Sequence, residues 1–550
     1  MSQTVGRLLV DSLEAHDIDL IYCVPGESYL GFTNALADNN RMRLIVCRHE
    51  GGAAFMAAAD GRMRGGRAGV CVVSRGPGLS NALIGLHTAY HDATPLVVLI
   101  GQVERWEAGR MALQEQNYSR LLSDVTKMVI EVNEPAQASE AIARAFHIAE
   151  SGTPGPVAVI IPEDVFDEQT DAVLAKARPA ARSGPLPEDL DRLADMLAAA
   201  ERPLIWVGAT MPESAIPALT QLAEQWVLPV SPTHRRPHLF SADHPNYGGY
   251  MASRIHADML AEFKKADLLI SLGERITGTI SQGFTFPAAP DPQLPLVHVW
   301  PDPNEVGRVW RPDLGMACDP GAVVRGLLAR GAPAGAEKRR GWVANLNAVH
   351  QRTTKAEWAA TSDGVNFSAV IASVRRHLAD DATVTSDAGN FATFVHRYLP
   401  MKPGQMFLAS VVGAMGAGLP MGVAACLRRP GTQVIAFAGD GGALMTGNEL
   451  ATARQYRVNP VFIVSDNNCY GTITQHHDMR YPGRPYQAAT QLTNPDFALW
   501  ATAFGAKGMT INDESEVEAV IAEALSVKNQ PVVVHVHTSL EQISAWRRRS

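Results

Sequence analysis

Two short polar segments in the last third of the chain could together hold a divalent cation and a phosphate group. The first, Gly439–Gly442 (Gly-Asp-Gly-Gly), follows the apolar run Val434–Phe437 and precedes a helical pattern. A strand that turns through such a segment into a helix presents free backbone N–H groups and a positive dipole end, which suit a diphosphate. The second, Asp466–Asn468 (Asp-Asn-Asn), ends another apolar run. Because Mg²⁺ prefers carboxylate and amide oxygens together with phosphate oxygens, the pair predicts a magnesium-diphosphate site.

A carboxylate near the start of the chain occupies a comparable position. Glu50 follows the apolar run Leu44–Val46 and begins a segment rich in glycine and alanine, for which we predict a helix. The helix dipole stabilises a glutamate in the first turn, and this effect alone could account for the residue. Alternatively, a carboxylate here could bond a ring nitrogen of a cofactor and shift its protons during catalysis.

The apolar runs that carry these groups alternate with helical patterns in three units. Continuous apolar strands alternating with helices predict parallel sheets covered on both faces. We therefore predict the α/β fold class, with three doubly wound parallel-sheet domains at residues 1–170, 186–334 and 365–550. A Pro/Ala/Arg-rich stretch near 171–188 separates the first two, and the charged stretch 337–340 leads towards the third. Ligands of such sheets bind at the carboxyl ends of the strands, where both polar segments lie.

Size and composition set limits on the class of protein. A chain of 550 residues is too long for one core, and about two to four domains are expected. The net charge of −8 and the absence of a Lys/Arg-rich stripe give no reason to expect nucleic-acid binding. No run of about 18 apolar residues occurs, so we expect no membrane span. Six scattered cysteines without a C-x-x-C spacing predict reduced thiols in a cytoplasmic protein.

Over nearly its whole length the sequence resembles the thiamine-diphosphate enzymes, in the branch of acetolactate synthases and 2-oxo acid decarboxylases. The segments Ser74–Asn81 and Pro95–Gln102 match family motifs, as does Gly413–Pro420. The resemblance implies thiamine diphosphate and Mg²⁺ as cofactors. The family's metal ligands are the Asp of Gly-Asp-Gly, an Asn 27 positions later and a backbone carbonyl two residues further on. In this sequence these are Asp440, Asn467 and Cys469.

The resemblance also assigns residues to the thiamine part of the cofactor. Glu50 matches the glutamate that activates the ring through its pyrimidine nitrogen. Met415 matches the residue that bends the cofactor into a V shape, although an ordinary core methionine is the alternative. The carbonyl of Gly413 would bond the amino group of the pyrimidine. The other cofactor-binding residues that the resemblance implies are Gly389, Asn390, Gly439, Gly441, Gly442, Tyr470 and Gly471.

Two residues on the substrate side favour a carboligase. Gln114, in Leu-Gln-Glu, resembles the glutamine that lies over the thiazolium in acetolactate synthases. Lys127 stands where those enzymes carry Thr-Lys-His. The alternatives are a polar loop residue for Gln114 and a solvated side chain for Lys127.

Other positions depart from a plain acetolactate synthase. His476 stands where the biosynthetic synthases carry Trp, and Glu27 stands where they carry Gly. Glu27 could exchange a proton with the substrate, but it would disfavour a carboxylate placed against it unless it were protonated. Ala93 replaces the acid–base histidine of the decarboxylases. His87 or His91, one helical turn apart, could take over that role, or each could be an ordinary polar group of a helix.

We therefore expect decarboxylation of a 2-oxo acid with carboligation to a second carbonyl compound. Simple decarboxylation that releases an aldehyde, or a hydroxy-ketone lyase reaction, would use the same motifs. A non-catalytic paralogue that binds the cofactor is the alternative from another class, and the joint presence of Glu50, Asp440 and Asn467 argues against it.

The resemblance bears on further cofactors and on assembly. Gly273–Gly278 looks like a shortened form of a segment near bound FAD in the synthases, so FAD is possible but not expected. The family builds each active site from two chains. A homodimer is therefore implied at least, a homotetramer is common, and the partner molecule is a small 2-oxo acid or related carbonyl compound.

Overall fold

The structure, a computed structural model, describes residues 2–484 and 487–549 and contains three large sheets, each of them entirely parallel. Helices cover both faces of these sheets. The predicted α/β fold class with three doubly wound sheets is confirmed. Each sheet falls within one of the three segments predicted as domains.

The N-terminal sheet has six strands in the order β3-β2-β4-β5-β7-β6, and a separate antiparallel pair joins β1 to β8. The strands are β1 (Gln3–Thr4), β2 (Leu20–Cys23), β3 (Arg43–Val46), β4 (Gly69–Ser74), β5 (Leu96–Gln102), β6 (Met128–Glu131), β7 (Pro156–Pro162) and β8 (Gln169–Thr170). The helices are α1 (Val5–Ala15), α2 (Leu30–Leu36), α3 (Glu50–Met63), α4 (Arg75–His91), α5 (Tyr118–Leu121), α6 (Ala138–Glu150) and α7 (Glu163–Asp167).

The middle sheet has five strands in the order β10-β9-β11-β12-β13. The strands are β9 (Pro203–Val207), β10 (Val230–Pro232), β11 (Leu268–Leu272), β12 (Leu296–Trp300) and β13 (Leu314–Ala317). The helices of this part and of the following connection are α8 (Pro187–Ala199), α9 (Ile216–Trp226), α10 (Ala257–Phe263), α11 (Pro320–Arg330) and α12 (Arg340–Thr353).

The C-terminal sheet again has six strands, in the order β15-β14-β16-β17-β19-β18. The strands are β14 (Thr383–Ser386), β15 (Met406–Ala409), β16 (Val434–Gly439), β17 (Val461–Asp466), β18 (Lys507–Ile511) and β19 (Val532–His537). The helices are α13 (Phe367–His377), α14 (Phe391–Tyr398), α15 (Gly418–Arg428), α16 (Asp440–Thr446), α17 (Leu450–Gln455), α18 (Gly471–Arg480), α19 (Phe497–Ala503) and α20 (Val517–Ser526).

The outer two domains share one apolar core, to which α3 and α15 contribute buried residues from opposite sides. Alanine-rich surfaces allow these two helices to approach closely. Arg428 of α15 pairs with the buried Asp60 of α3 and with Asp19, so the interface also carries a charged anchor. The N-terminal and C-terminal domains of one chain are therefore held together as a packed unit.

The cysteines have the reduced state that their spacing in the sequence predicts. All six cysteines are buried and unpaired. Among the helices of the described residues, we find none with the length and apolar character that a membrane crossing requires.

Candidate active site

The carboxyl edge of the C-terminal sheet carries a buried carboxylate with three hydrogen-bond donors. Asp440 begins α16 directly after β16, and only 4% of it is exposed. Its Oδ1 accepts from the backbone N–H of Gly441 at 2.8 Å, and its Oδ2 accepts from Cys469 N–H at 3.1 Å and from the Asn494 amide at 2.9 Å. Burial raises the pKa of Asp440 to about 6, and a cation against this carboxylate would favour its ionised form.

The next strand end supplies an acceptor without a donor. Asn467 follows β17, and its Oδ1 is buried with no hydrogen-bond partner among the described residues. Such an acceptor is costly unless a bound group satisfies it. The carbonyl of Cys469 accepts from Gly471 N–H at 2.7 Å and keeps a second lone pair. The residues predicted as metal ligands thus offer the hard oxygen atoms that suit Mg²⁺.

Residues that the sequence analysis did not identify support these ligands. The Asn494 amide bridges Asp440 Oδ2 and Asp466 Oδ1, the second at 2.8 Å. Asp466 Oδ2 lies 2.8 Å from Nε2 of the buried His535. Asn494 lies in a loop with no periodic pattern, so no sequence signal marks it. For His535 a signal existed, because a histidine inside a run of valines is a polar residue within a buried strand.

The glycines after Asp440 are required by close neighbours. A Cβ at Gly441 would overlap the ring of Tyr470, and a Cβ at Gly442 would overlap Oδ2 of Asp387. Asp387 is buried, and Gly416 donates its backbone N–H to that same Oδ2 at 2.8 Å. Burial raises the pKa of Asp387 to about 6. Only glycine therefore leaves the backbone at the start of α16 open towards the adjoining cleft.

A cleft of about 240 Å³ lies beside this edge, and it brings together every C-terminal residue predicted to bind the cofactor. Met415 is half-buried in this cleft, which separates it from the fully buried core methionines. Asn390 donates to Gln475 Oε1 at 2.9 Å, and thereby ties the start of α14 to α18. The predicted residues along the cleft are Gly389, Asn390, Gly413, Met415, Gly439, Asp440, Gly441, Gly442, Asn467, Cys469, Tyr470 and Gly471.

Glu50 lies at the carboxyl edge of the N-terminal sheet. It is the first residue of α3, is half-buried, and accepts from the Asn81 amide at 2.9 Å. The turn before it is held by Glu449 of the C-terminal domain, whose carboxylate accepts from the backbone N–H groups of Arg48 and His49, each at 3.0 Å. Glu449 is completely buried. The position of Glu50 therefore depends on both domains.

Two substrate-side candidates lie at the same edge as Glu50. Glu27 follows β2 on the one-turn helix Glu27–Tyr29 and is exposed. Gln114 is also exposed, has a left-handed backbone (φ 64°), and its carbonyl accepts from Gly76 N–H at 3.1 Å. The residues that line the cleft beside Asp440 all fall between 367 and 543 in the described chain. Glu50, Glu27 and Gln114 thus form a separate edge rather than part of that cleft.

The remaining candidates lie elsewhere. His87 is 12 residues along α4, so it lies ~18 Å from the start of this helix at the carboxyl edge. Its ring contacts that of His91 instead, with centroids 4.6 Å apart. Lys127 precedes β6 at the opposite edge of the sheet. Its ammonium donates there to the carbonyls of Ile148 and Ser151 at the C-terminal end of α6. These positions do not favour a role for His87 or Lys127 at the carboxyl edge.

His476 lies on the exposed side of α18, and its Nε2 is 3.2 Å from Arg254 Nη2 of the middle domain. It does not line the cleft beside Asp440, among the lining residues that the structure describes. The neighbouring Ile473, one turn earlier on the same helix, does line it. His476 is therefore at the rim of the site, and its predicted catalytic role stays a prediction.

The middle sheet offers a poor fit for FAD. Its strand order places the ligand crevice between the carboxyl ends of β9 and β11. Glu274 fills this crevice: it is 8% exposed, accepts from the Thr233 hydroxyl, and its carboxylate occupies the space that a Cβ at Gly208 would need. Burial raises the pKa of Glu274 to about 7. The side chain of Glu274 occupies the space that a pyrophosphate would need between the two strand ends, so the residues present do not fit a dinucleotide.

The fold and the two edges define a class of enzyme that holds thiamine diphosphate. Family models for thiamine pyrophosphate enzymes match in three places: the N-terminal TPP binding domain at residues 3–121, the central domain at 190–327 and the C-terminal TPP binding domain at 387–536. The chain belongs to the thiamine pyrophosphate enzymes, within their acetolactate synthase-like family. The predicted family and the prediction of an enzyme are confirmed.

Curated relatives cover almost the whole chain. The sequence is 30% identical to a probable acetolactate synthase large subunit of Methanocaldococcus jannaschii, over 96% of this chain and 91% of that protein. It is 30% identical to an acetolactate synthase large subunit of Parasynechococcus marenigrum, over 96% and 86% of the two chains. It is 29% identical to the acetolactate synthase isozyme 1 large subunit of Escherichia coli, over 98% and 94%.

Proposed function

We propose that this enzyme uses thiamine diphosphate and Mg²⁺ to decarboxylate a 2-oxo acid and to join the product to a second carbonyl compound. The observation that carries the proposal is the unpaired, buried Oδ1 of Asn467 next to Asp440, in a cleft lined by the residues predicted to bind the cofactor. The names of the relatives, acetolactate synthases, favour carboligation as the outcome.

The chain's own residues divide the work between the two edges. Asp440, Asn467 and the Cys469 carbonyl would hold Mg²⁺ and, through it, the diphosphate. Thiamine diphosphate, when bound, supplies an acidic carbon and an electron sink. Glu50, the first residue of α3, would bond the pyrimidine nitrogen and hold a proton there.

The separation of the two edges supports an active site built from two chains. Leu444 and Met445 of α16 are 46% and 47% exposed, and Ile84 of α4 is 41% exposed. These apolar side chains lie on helices that start at the two edges, and a partner chain would cover them. We therefore propose a homodimer in which Glu50 of one chain serves the cleft of the other, assembled further into a homotetramer. Light scattering of the purified protein gives the mass that tests this assembly.

Release of an aldehyde is the second candidate reaction. Glu27 is exposed at the same edge as Glu50 and Gln114. An ionised carboxylate there would oppose the carboxylate of a second 2-oxo acid, and would favour an uncharged acceptor or a proton. The same argument applies to a hydroxy-ketone lyase. The buried, unpaired cysteines are consistent with a reducing compartment, so we also propose a cytoplasmic location.

Product analysis by NMR tests the proposal directly. Purified protein is incubated with thiamine diphosphate, Mg²⁺ and single 2-oxo acids, beginning with pyruvate, and a Glu50→Gln variant serves as the control. We expect acetolactate from pyruvate with the natural sequence and very little with the variant. Free aldehyde as the only product would replace carboligation by simple decarboxylation. No consumption of any 2-oxo acid would contradict the proposed substrate class.

A further inference from the structure

A cluster of nitrogen and oxygen ligands lies one strand away from the Asp440 edge. Asp466 ends β17 and His537 ends β19, and these two residues are paired in the parallel register. His535, two residues earlier, faces the same side of the sheet. One possible ligand atom from each of the three side chains lies within 4.8 Å of the other two. Asp466 and His535 are buried, whereas His537 is partly accessible.

We infer that Asp466, His535 and His537 form a second divalent metal site, selective for Zn²⁺ over Mg²⁺. Two imidazoles and one carboxylate are ligands typical of zinc, whereas the oxygen atoms around Asp440 suit magnesium. A fourth position would remain open towards the accessible side of His537. The inference does not rest on the reaction that we propose for the enzyme, because none of the site's three side chains is assigned to the thiamine cofactor.

The surroundings of His535 supply a second observation. Its Nε2 faces Asp466, while its Nδ1 is buried without a hydrogen-bond partner among the described residues. Asp496 Oδ1 lies 3.7 Å from that Nδ1. Histidines that bind a metal through one nitrogen commonly donate the other N–H to a carboxylate. With an ion at Nε2, the Nδ1–H group points to Asp496, which would fix the orientation of the ring.

An ion at this cluster would join the ends of two strands. Asp466 connects the cluster to the first site, since the Asn494 amide bonds both Asp466 and Asp440. A zinc ion would hold Asp466 in place and would thereby hold the amide that orients Asp440. The expected result is a stiffer carboxyl edge, without any new group in the cleft.

Zinc titration of the tag-free, full-length protein tests the inference. Thiamine diphosphate and millimolar Mg²⁺ are present throughout, so that the Asp440 site is filled, and a chromophoric chelator competes for Zn²⁺. We expect one Zn²⁺ per chain, and a His537→Gln variant should bind it at least ~10-fold more weakly. The matched control is His377→Gln, because His377 lies in the same domain but outside the cluster, with its Nε2 2.9 Å from Glu518 Oε1; this variant should bind zinc normally.

A milder variant examines the role of Asp496. Asn replaces Asp well as a helix cap, so Asp496→Asn keeps the start of α19 while it removes the carboxylate opposite Nδ1. We expect a loss of zinc affinity of about 10-fold. Co²⁺ can replace zinc and should give visible absorption bands that His537→Gln abolishes. The inference is overturned if the natural protein retains no zinc against the chelator, or if His537→Gln and His377→Gln give the same isotherm.

Discussion

The N-terminal and C-terminal sheets have the same strand order, yet their carboxyl edges differ in almost every chemical respect. Counted from the first strand of each sheet, the order is 2-1-3-4-6-5 in both. The N-terminal edge carries Glu27 and Gln114 exposed, and Glu50 half-buried. The C-terminal edge carries Asp440 buried, with three donors already bonded to it.

The difference shows how one topology provides two kinds of half-site. At the C-terminal edge the chain's own loops already bond Asp440, and they leave the buried Oδ1 of Asn467 as an acceptor for a bound group. The N-terminal edge presents the half-buried Glu50 from an open surface, and we propose that a partner chain supplies the surface opposite to it. The sheets fix where side chains can meet, whereas the segments after the strands decide what they do.

The largest effects are expected from the acidic residue of each edge. Glu50→Gln should keep the cofactor bound but lower turnover by ~10²- to 10⁴-fold, since it removes the group that we propose to hold a proton at the pyrimidine ring. Asp440→Ala should abolish Mg²⁺-dependent retention of thiamine diphosphate. Equilibrium dialysis and steady-state rates measure both. Glu188→Gln serves as the control, because Glu188 is an acidic residue in the first turn of α8, in another domain. Loss of cofactor from the Glu50 variant would contradict the proposal that the C-terminal edge binds the cofactor and that Glu50 acts in turnover.

Glu449 connects the C-terminal domain to the turn before Glu50, and its removal should be the next largest effect. Glu449→Ala leaves the N–H groups of Arg48 and His49 without their acceptor, which should cost about 2 kcal/mol or more of stability. Turnover should fall as well, because these groups set the turn before Glu50. Denaturant unfolding and rate measurements check this. Glu449→Gln retains one acceptor oxygen and should recover part of both losses; equal damage from the two variants would exclude the hydrogen bonds as the cause.

The carboxyl edge of the middle sheet carries a third acidic residue, Glu274, and we expect it to make the stability of the protein depend on pH. Burial raises the pKa of Glu274 to about 7, so the folded state keeps the neutral acid while the unfolded state ionises from about 4.5. Stability from this group is present below the unfolded pKa and is lost as the pH rises through 7. Between pH 5 and pH 8 the natural protein should lose about 2–3 kcal/mol relative to Glu274→Gln. If the unfolding midpoints of the two proteins differed by the same amount at pH 5 and at pH 8, the conclusion that Glu274 is buried and protonated would be contradicted.

The smallest effect is expected at Lys127, which the resemblance placed on the substrate side. Burial lowers the pKa of Lys127 to about 8. Its ammonium donates to backbone carbonyls at the C-terminal end of α6 and does not face the carboxyl edge. Lys127→Met should change turnover less than ~2-fold and stability by about 1 kcal/mol or less. Gln114→Ala, at the carboxyl edge, should alter the rate or the ratio of products. An equal loss from both variants would show that position relative to the edge is not what matters.

The sequence predicted the scaffold well because burial leaves a regular pattern. The run Val157–Ile161 is continuous and apolar, and all seven residues of β7 around it are buried. Asp440 and Asn467 could be located from their spacing, since both directly follow or begin elements of one sheet. Asn494 could not, because it lies in a loop without any periodic pattern. Asp387 directly follows β14, so its position at the end of a strand was a signal that the sequence analysis did not use. Lys127 illustrates another limit: similarity of a segment does not say which end of a sheet its side chains reach, and the ammonium of Lys127 bonds carbonyls at the end of α6.

The overlap between position 442 and Asp387 has a consequence for how this cleft can change. A side chain at residue 442 would overlap the carboxylate of Asp387, which the backbone N–H groups of Gly416 and Ala417 hold in place, so position 442 cannot be enlarged alone. A side chain at position 442 therefore requires a smaller residue at position 387. Directed evolution of the cofactor cleft would thus have to vary positions 387 and 442 in the same library. A library that varies position 442 alone would miss the variants that carry a larger residue there.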